Sequence, residues 1–194
     1  LDPEHREAKG LTVLALLLLL AGGSFLLLLE AAEGRGPLAG LDQGVFEALQ
    51  ALRTPVMDRV MVAVTEMGDW EVLLSLFTVL MAWLLWQRRW QAAAHWAAAA
   101  GFSLILTQTL KAATEVLRPS ALYEGISAYS FPSAHATHGM VVYGFLAVLL
   151  ARELNERRRW LAYVAVGPLI FGIAFSRLYL GAHWLSDVLG GLAL

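Results

Sequence analysis

Six apolar runs organise the chain, at roughly 11–29, 71–86, 92–113, 133–151, 160–180 and 183–194. The first five approach the roughly 20 residues that a helix needs to cross a hydrocarbon core, with few or no charges at their centres. The sixth is too short for that, so the sequence reads as a fragment whose last helix is truncated. Between the first and second runs, Leu41, Val45, Phe46, Leu49 and Leu52 recur at helical spacing, and Val56, Val60, Met61 and Val64 do so again beyond Pro55. This predicts one or two short amphipathic helices at the interface, serving either as a lid or lipid-access element or as a packed connector. The expected fold is all-α, a polytopic membrane helix bundle of about six transmembrane helices forming a single domain over 1–194. His5, Arg6 and Lys9 before the leucine run also fit a signal peptide. Against that, the run is long for a signal and ends at Glu30 without a small-residue cleavage pattern.

The placement of charge adds an orientation. Arg6, Lys9, Arg88, Arg89, Arg152, Arg157, Arg158 and Arg159 lie before the first run or in alternate loops, and they mark the cytoplasmic side. The stretch from Glu30 to Glu71 carries only Arg35, Arg53 and Arg59 against many acidic residues, and is expected outside. Most of the tryptophans, Trp70, Trp83, Trp86, Trp90, Trp96, Trp160 and Trp184, sit near the ends of runs, as an interfacial belt requires.

Composition narrows the chemistry. Of 194 residues, 58% are hydrophobic and 15% charged, and a net charge of −2 gives no electrostatic footprint for nucleic acid. There is no cysteine, so thiolate nucleophiles and thiolate metal sites are excluded.

Ionisable residues at the ends of apolar runs are costly and call for a functional explanation. KAATEVLRP places Lys111 and Arg118 two turns apart on the same face of the third predicted helix, which Pro119 then ends. FPSAHATHG opens the fourth, with Ser133 as candidate N-cap and His135 in the first turn, where free N–H groups favour an anion. SRLYLGAHW supplies Arg177 and His183, and Asp187 follows four residues after that histidine, close enough on a helix to orient its imidazole. Under the topology drawn from the loop arginines, all of these lie at the outer ends of their helices. Taken singly, each has an ordinary structural explanation: a snorkelling cation, a helix cap, a satisfied histidine.

The set K-x6-RP, PSAH and SR-x5-H-x3-D closely resembles the three-part signature of the type 2 phosphatidic acid phosphatase superfamily, in its membrane branch. The resemblance implies metal-independent and cofactor-independent hydrolysis of a membrane lipid phosphate or pyrophosphate at the non-cytoplasmic face, as in bacterial undecaprenyl-pyrophosphate and phosphatidylglycerophosphate phosphatases. It also implies an integral protein of a bacterial inner membrane with a periplasmic or extracellular site. By the same resemblance Lys111, Arg118, Arg177, Ser133 and the Ala134 backbone bind phosphate. His183 forms a phosphohistidine, Asp187 supports it, and His135 acts as acid and then base. Ala134 departs from the family pattern, which commonly has Gly there, and this bears on the shape of the pocket. His138 has no role in the motif, and Glu66, Asp69, Glu115, Tyr123, Glu124 and Tyr129 are candidates for shaping a headgroup pocket. Two other readings stand beside this one: a metal hydrolase using His135, His138, His183 and Asp187, and an anionic-lipid transporter or flippase without hydrolysis.

Overall fold

The computed structural model describes residues 3–119 and 128–194. Among these described residues eight α-helices follow in order: α1 (Pro3–Ala32), α2 (Ala39–Ala51), α3 (Pro55–Glu66), α4 (Trp70–Trp86), α5 (Trp90–Thr114), α6 (Ala134–Glu153), α7 (Arg159–Tyr179) and α8 (Leu185–Ala193). All six apolar runs form helices, as α1 and α4 to α8, and the amphipathic stretch resolves into two helices, α2 and α3. The break between those two is local in origin. Thr54 accepts the Met57 N–H as N-cap and Pro55 takes the first helical position, where its missing N–H costs nothing. By length and composition, Pro55–Trp86, Ala134–Glu153 and Glu156–Tyr179 can each cross a membrane.

Helix α6 is central, packing on α5, α7 and α8, while α3 lies along α7 and α8 is held between α1 and α6. The main core gathers Leu73, Leu84, Trp96, Val142, Tyr143 and Ile173 from four of these helices. Trp96 is a correction to the belt reading: it is fully buried, stacked between Phe77 (5.2 Å) and Phe145 (4.4 Å), and its indole N–H donates to the Phe77 carbonyl. Trp86, Trp90 and Trp160 are exposed, as anchors are. Outward-facing Phe102, Ile105 and Phe171 stay about two-thirds exposed, which suits hydrocarbon rather than water.

Two glycines set the spacing around α6. A Cβ on Gly191 of α8 would stand 2.7 Å from the Ser133 carbonyl oxygen, so only glycine lets α8 approach the start of α6. A Cβ on Gly68, between α3 and α4, would stand 2.6 Å from Ile173 and 3.1 Å from the His135 ring.

Candidate active site

The chemistry-bearing residues meet at one end of the bundle, where the end of α5, the start of α6 and the α7–α8 junction converge. Lys111, in the last turn of α5, is buried and donates from Nζ to the carbonyls of Tyr129 (2.6 Å) and Ser130 (3.2 Å).

Arg118 does not continue that helix, which corrects the expectation of a shared helical face. Helix α5 ends at Thr114, and Glu115 takes a left-handed conformation, with φ 50°. The chain then runs alongside residues 128–130: Leu117 bridges Tyr129, and the Ser130 N–H donates to the Val116 carbonyl at 2.6 Å. This pairing between distant segments replaces the helical bonds that residues 115–118 forgo. From the extended segment Arg118 places Nη1 2.9 Å from the Ala182 carbonyl and 2.9 Å from Nε2 of His183.

The second expectation to be revised concerns His183, which lies just before α8, whose N-cap is Trp184. The contact with Asp187 nevertheless forms, at 3.2 Å from Nδ1. Arginine carries only donors, so Nε2 must be the acceptor of the Arg118 contact and the proton must sit on Nδ1, facing Asp187. Asp187 is 0% exposed. A carboxylate so placed needs a full set of donors. It has the His183 ring, the Trp184 N–H at 2.8 Å and the Ser130 hydroxyl at 3.1 Å.

Ser133 occupies the N-cap position of α6, but its side chain makes no cap bond. Its buried Oγ has no hydrogen-bond partner, and its N–H is taken by the Asp187 carbonyl at 3.0 Å. The donors free for an anion are therefore the Ser133 hydroxyl and the N–H groups of Ala134, His135 and Ala136, which open the helix. Arg177 closes α7, buried, with Nη1 2.9 Å from Thr65 Oγ1. Lys111, Arg118, Arg177 and His135 all lie within electrostatic range of His183.

His135 and His138 diverge. Nε2 of His135 is 2.6 Å from Asp69 Oδ1, in the turn before α4, whereas His138 faces Ser103 on α5 at 3.2 Å. Among the described residues no group of three or more His, Asp or Glu side chains is placed to hold a metal ion, so the four-ligand arrangement is not built. Of the remaining headgroup candidates, Glu66 is exposed, while Tyr129 lies beside Glu115, whose carboxylate pushes its phenol above the usual range. Tyr123 and Glu124 fall outside the described residues.

Sequence reasoning missed Thr65, Ser130 and Asp42 as partners of the site. Asp42 on α2 is buried and accepts from the Ser186 N–H (2.8 Å) and hydroxyl (2.5 Å), capping α8 from outside. The only hint was that Asp42 interrupts an apolar helical face.

Two cavities meet on the His135 side. A cavity of about 300 Å³ is bordered by Ala134, His135, His138, Gln108 and Gly68. It shares Trp70, Leu73, Leu104 and His138 with a second, apolar cavity of about 240 Å³ that runs between α4 and α5.

Comparison with known proteins supplies the family. The model of the PAP2 superfamily matches residues 92–194. Phosphatidylglycerophosphatase B of Bacillus subtilis (strain 168) is 30% identical over 173 residues, covering 88% of this chain and 85% of that protein. The crystal structure of a transmembrane PAP2 type phosphatidylglycerolphosphate phosphatase from Bacillus subtilis superposes with a TM-score of 0.76 at 27% identity, covering 89% of each chain. Aquifex aeolicus LpxE shares the fold, with a TM-score of 0.57 at 22% identity over 78% of this chain and 88% of that one. The signature residues, their convergence and these matches together identify the chain as a member of the PAP2 superfamily and a lipid phosphatase.

Proposed function

We propose that the chain dephosphorylates a membrane lipid phosphate or pyrophosphate at the non-cytoplasmic face, through a phosphohistidine on Nε2 of His183. The observation that carries this reading is the tautomer fixed at His183: Asp187 holds Nδ1–H, and the Nε2 lone pair points toward the guanidinium of Arg118. Arg118 meets that lone pair directly, Lys111 and Arg177 lie within electrostatic range of the ring, and the Ser133 hydroxyl and the first N–H groups of α6 add donors for a phosphoryl group. Phosphoryl transfer needs mainly positioning and charge stabilisation, which such a set supplies.

In the first step the Nε2 lone pair forms the P–N bond while the bond from phosphorus to the leaving oxygen breaks. Arg118 moves its donor onto a phosphoryl oxygen, and His135 gives its proton to the departing oxygen. In the second step water attacks phosphorus and loses a proton to His135. The P–N pair then returns to His183 and phosphate leaves. Asp187 stabilises the positive charge that His183 carries while the P–N bond lasts.

The cavities beside His135 suit a headgroup with an acyl or prenyl chain lying between α4 and α5. Ala134 borders the same cavity, so its methyl group, where the family commonly has Gly, helps set the pocket's shape. The name of the Bacillus subtilis relative makes phosphatidylglycerophosphate the first substrate to try, with phosphatidic acid and undecaprenyl pyrophosphate beside it. The test is phosphate release by purified protein in excess chelator, with brief acid and alkaline quenches to trap an alkali-stable, acid-labile phosphoenzyme. Wild type is expected to form it and His183→Ala to lack both it and turnover. Equal release by the two proteins overturns the phosphohistidine reading.

Sidedness has its own test, because the chain has no cysteine. Glu115→Cys, at the site end, is expected to react with an impermeant maleimide on intact cells, and Arg157→Cys only after permeabilisation. The reverse pattern overturns the orientation.

A further inference from the structure

Asp69 stands at the N-cap position of α4, where an aspartate ordinarily turns its carboxylate onto the first N–H groups of its own helix. It makes no such bond. Its carboxylate instead lies 2.6 Å from Nε2 of His135, which is 66 positions away in sequence. The turn carrying it is built for that reach. Gly68 lets the backbone approach α7 and the His135 ring closely, since a Cβ there would stand 2.6 Å from Ile173 and 3.1 Å from that ring. Tyr143, two turns further along α6, donates its hydroxyl to the Met67 carbonyl at 2.7 Å, tying the turn to the helix that bears His135. Asp69 also lies outside residues 92–194, the part matched by the family model.

From this geometry we infer that Asp69 is a positioning residue for the acid and base His135, holding Nε2–H and presenting Nδ1 to the leaving oxygen. The inference rests on the role proposed above for His135. The two histidines are then oppositely oriented: Asp187 holds Nδ1 of His183 and frees Nε2 for phosphorus, whereas Asp69 holds Nε2 of His135 and frees Nδ1 for the proton. The charges facing His135 come from several elements. Arg177 on α7 and Arg118 from the extended segment oppose a proton there, while Asp69 from the α3–α4 turn favours it. His183 lies within electrostatic range, and His138 shares the helix. Without the carboxylate, His135 would face cations alone when it must carry a proton, and its ring would be free to turn.

The experiment compares two monophosphates by the rate of phosphoenzyme formation. One is a lipid phosphate, whose alkoxide must be protonated as it leaves. The other is an alkylated nitrophenyl phosphate, whose phenolate needs no proton. Asp69→Asn is expected to slow the lipid phosphate roughly 10- to 100-fold and the aryl phosphate less than about threefold, with KM little changed. The alkaline limb of kcat is expected to move to lower pH. His135→Asn, measured alongside, is expected to show the same split more strongly, and thermal unfolding in detergent checks that both variants fold. If His135→Asn shows the split and Asp69→Asn matches wild type, or slows both substrates equally, the role of Asp69 is overturned and that of His135 stands. A His135→Asn enzyme with no split overturns both.

Discussion

His183 and Asp187 meet with side chains 1% and 0% exposed, while His135 and Asp69 meet at a shorter distance with side chains 21% and 41% exposed. The first pair is assembled by neighbouring chain, four residues apart, and sealed by Ser130 and the Trp184 N–H. The second is assembled across the fold by a turn that α6 holds in place. The same pairing of imidazole with carboxylate thus serves two situations. Under the roles proposed above, a nucleophile that becomes cationic inside the protein needs a buried, fully donated counter-charge, whereas a group that trades protons with a leaving oxygen and then with water must stay at the edge of the cavity. The comparison predicts that damage to the buried pair is structural and chemical at once, and that damage to the open pair is chemical alone.

The sharpest break is Asp187→Ala. It strands the Trp184 N–H and the His183 ring, and should lower stability by about 3 kcal/mol and turnover by roughly 10³-fold or more. Thermal unfolding in detergent and phosphate release read the two effects separately. Asp69→Asn, by contrast, should leave the unfolding temperature near that of wild type.

Gly191→Ala probes the platform under the buried pair. Its methyl group would meet the Ser133 carbonyl at 2.7 Å and push α8 off α6, costing about 1–3 kcal/mol together with activity. Gly144→Ala, where a Cβ meets nothing within 4 Å, is the control and should change neither. Thr65→Val removes the hydroxyl beside Arg177 and should cost about 1 kcal/mol in kcat/KM, roughly fivefold. The smallest effect belongs to Arg53→Gln. It breaks an exposed contact with Asp58 and should leave kcat/KM within about twofold of wild type.

Much of this was readable from residues alone, because hydrophobic runs of near-bilayer length and ionisable groups at their ends are strong physical signals. What could not be read were features decided by contacts distant in sequence. Helix α5 stops at Glu115 although no glycine or proline precedes Pro119, since pairing with residues 128–130 outcompetes another turn. Arg118 therefore reaches His183 from an extended segment. Trp96 reads as a belt residue because it lies close to a predicted helix start, and only the stacking partners on α4 and α6 place it inside. Asp69 reads as no more than one of six headgroup candidates until the fold brings His135 beside it.

The contacts from Thr65 to Arg177, Asp69 to His135 and Asp42 to Ser186 all join residues before the matched family segment to residues within it. A chimera joined at residue 92, grafting the signature onto the leading helices of a relative, would separate every one of these partners. The transplantable unit is thus longer than the motifs suggest: a junction placed ahead of α2 would carry the chemistry and its supports together, and α2 to α4 are where a designer should vary sequence to retune the enzyme without touching its signature.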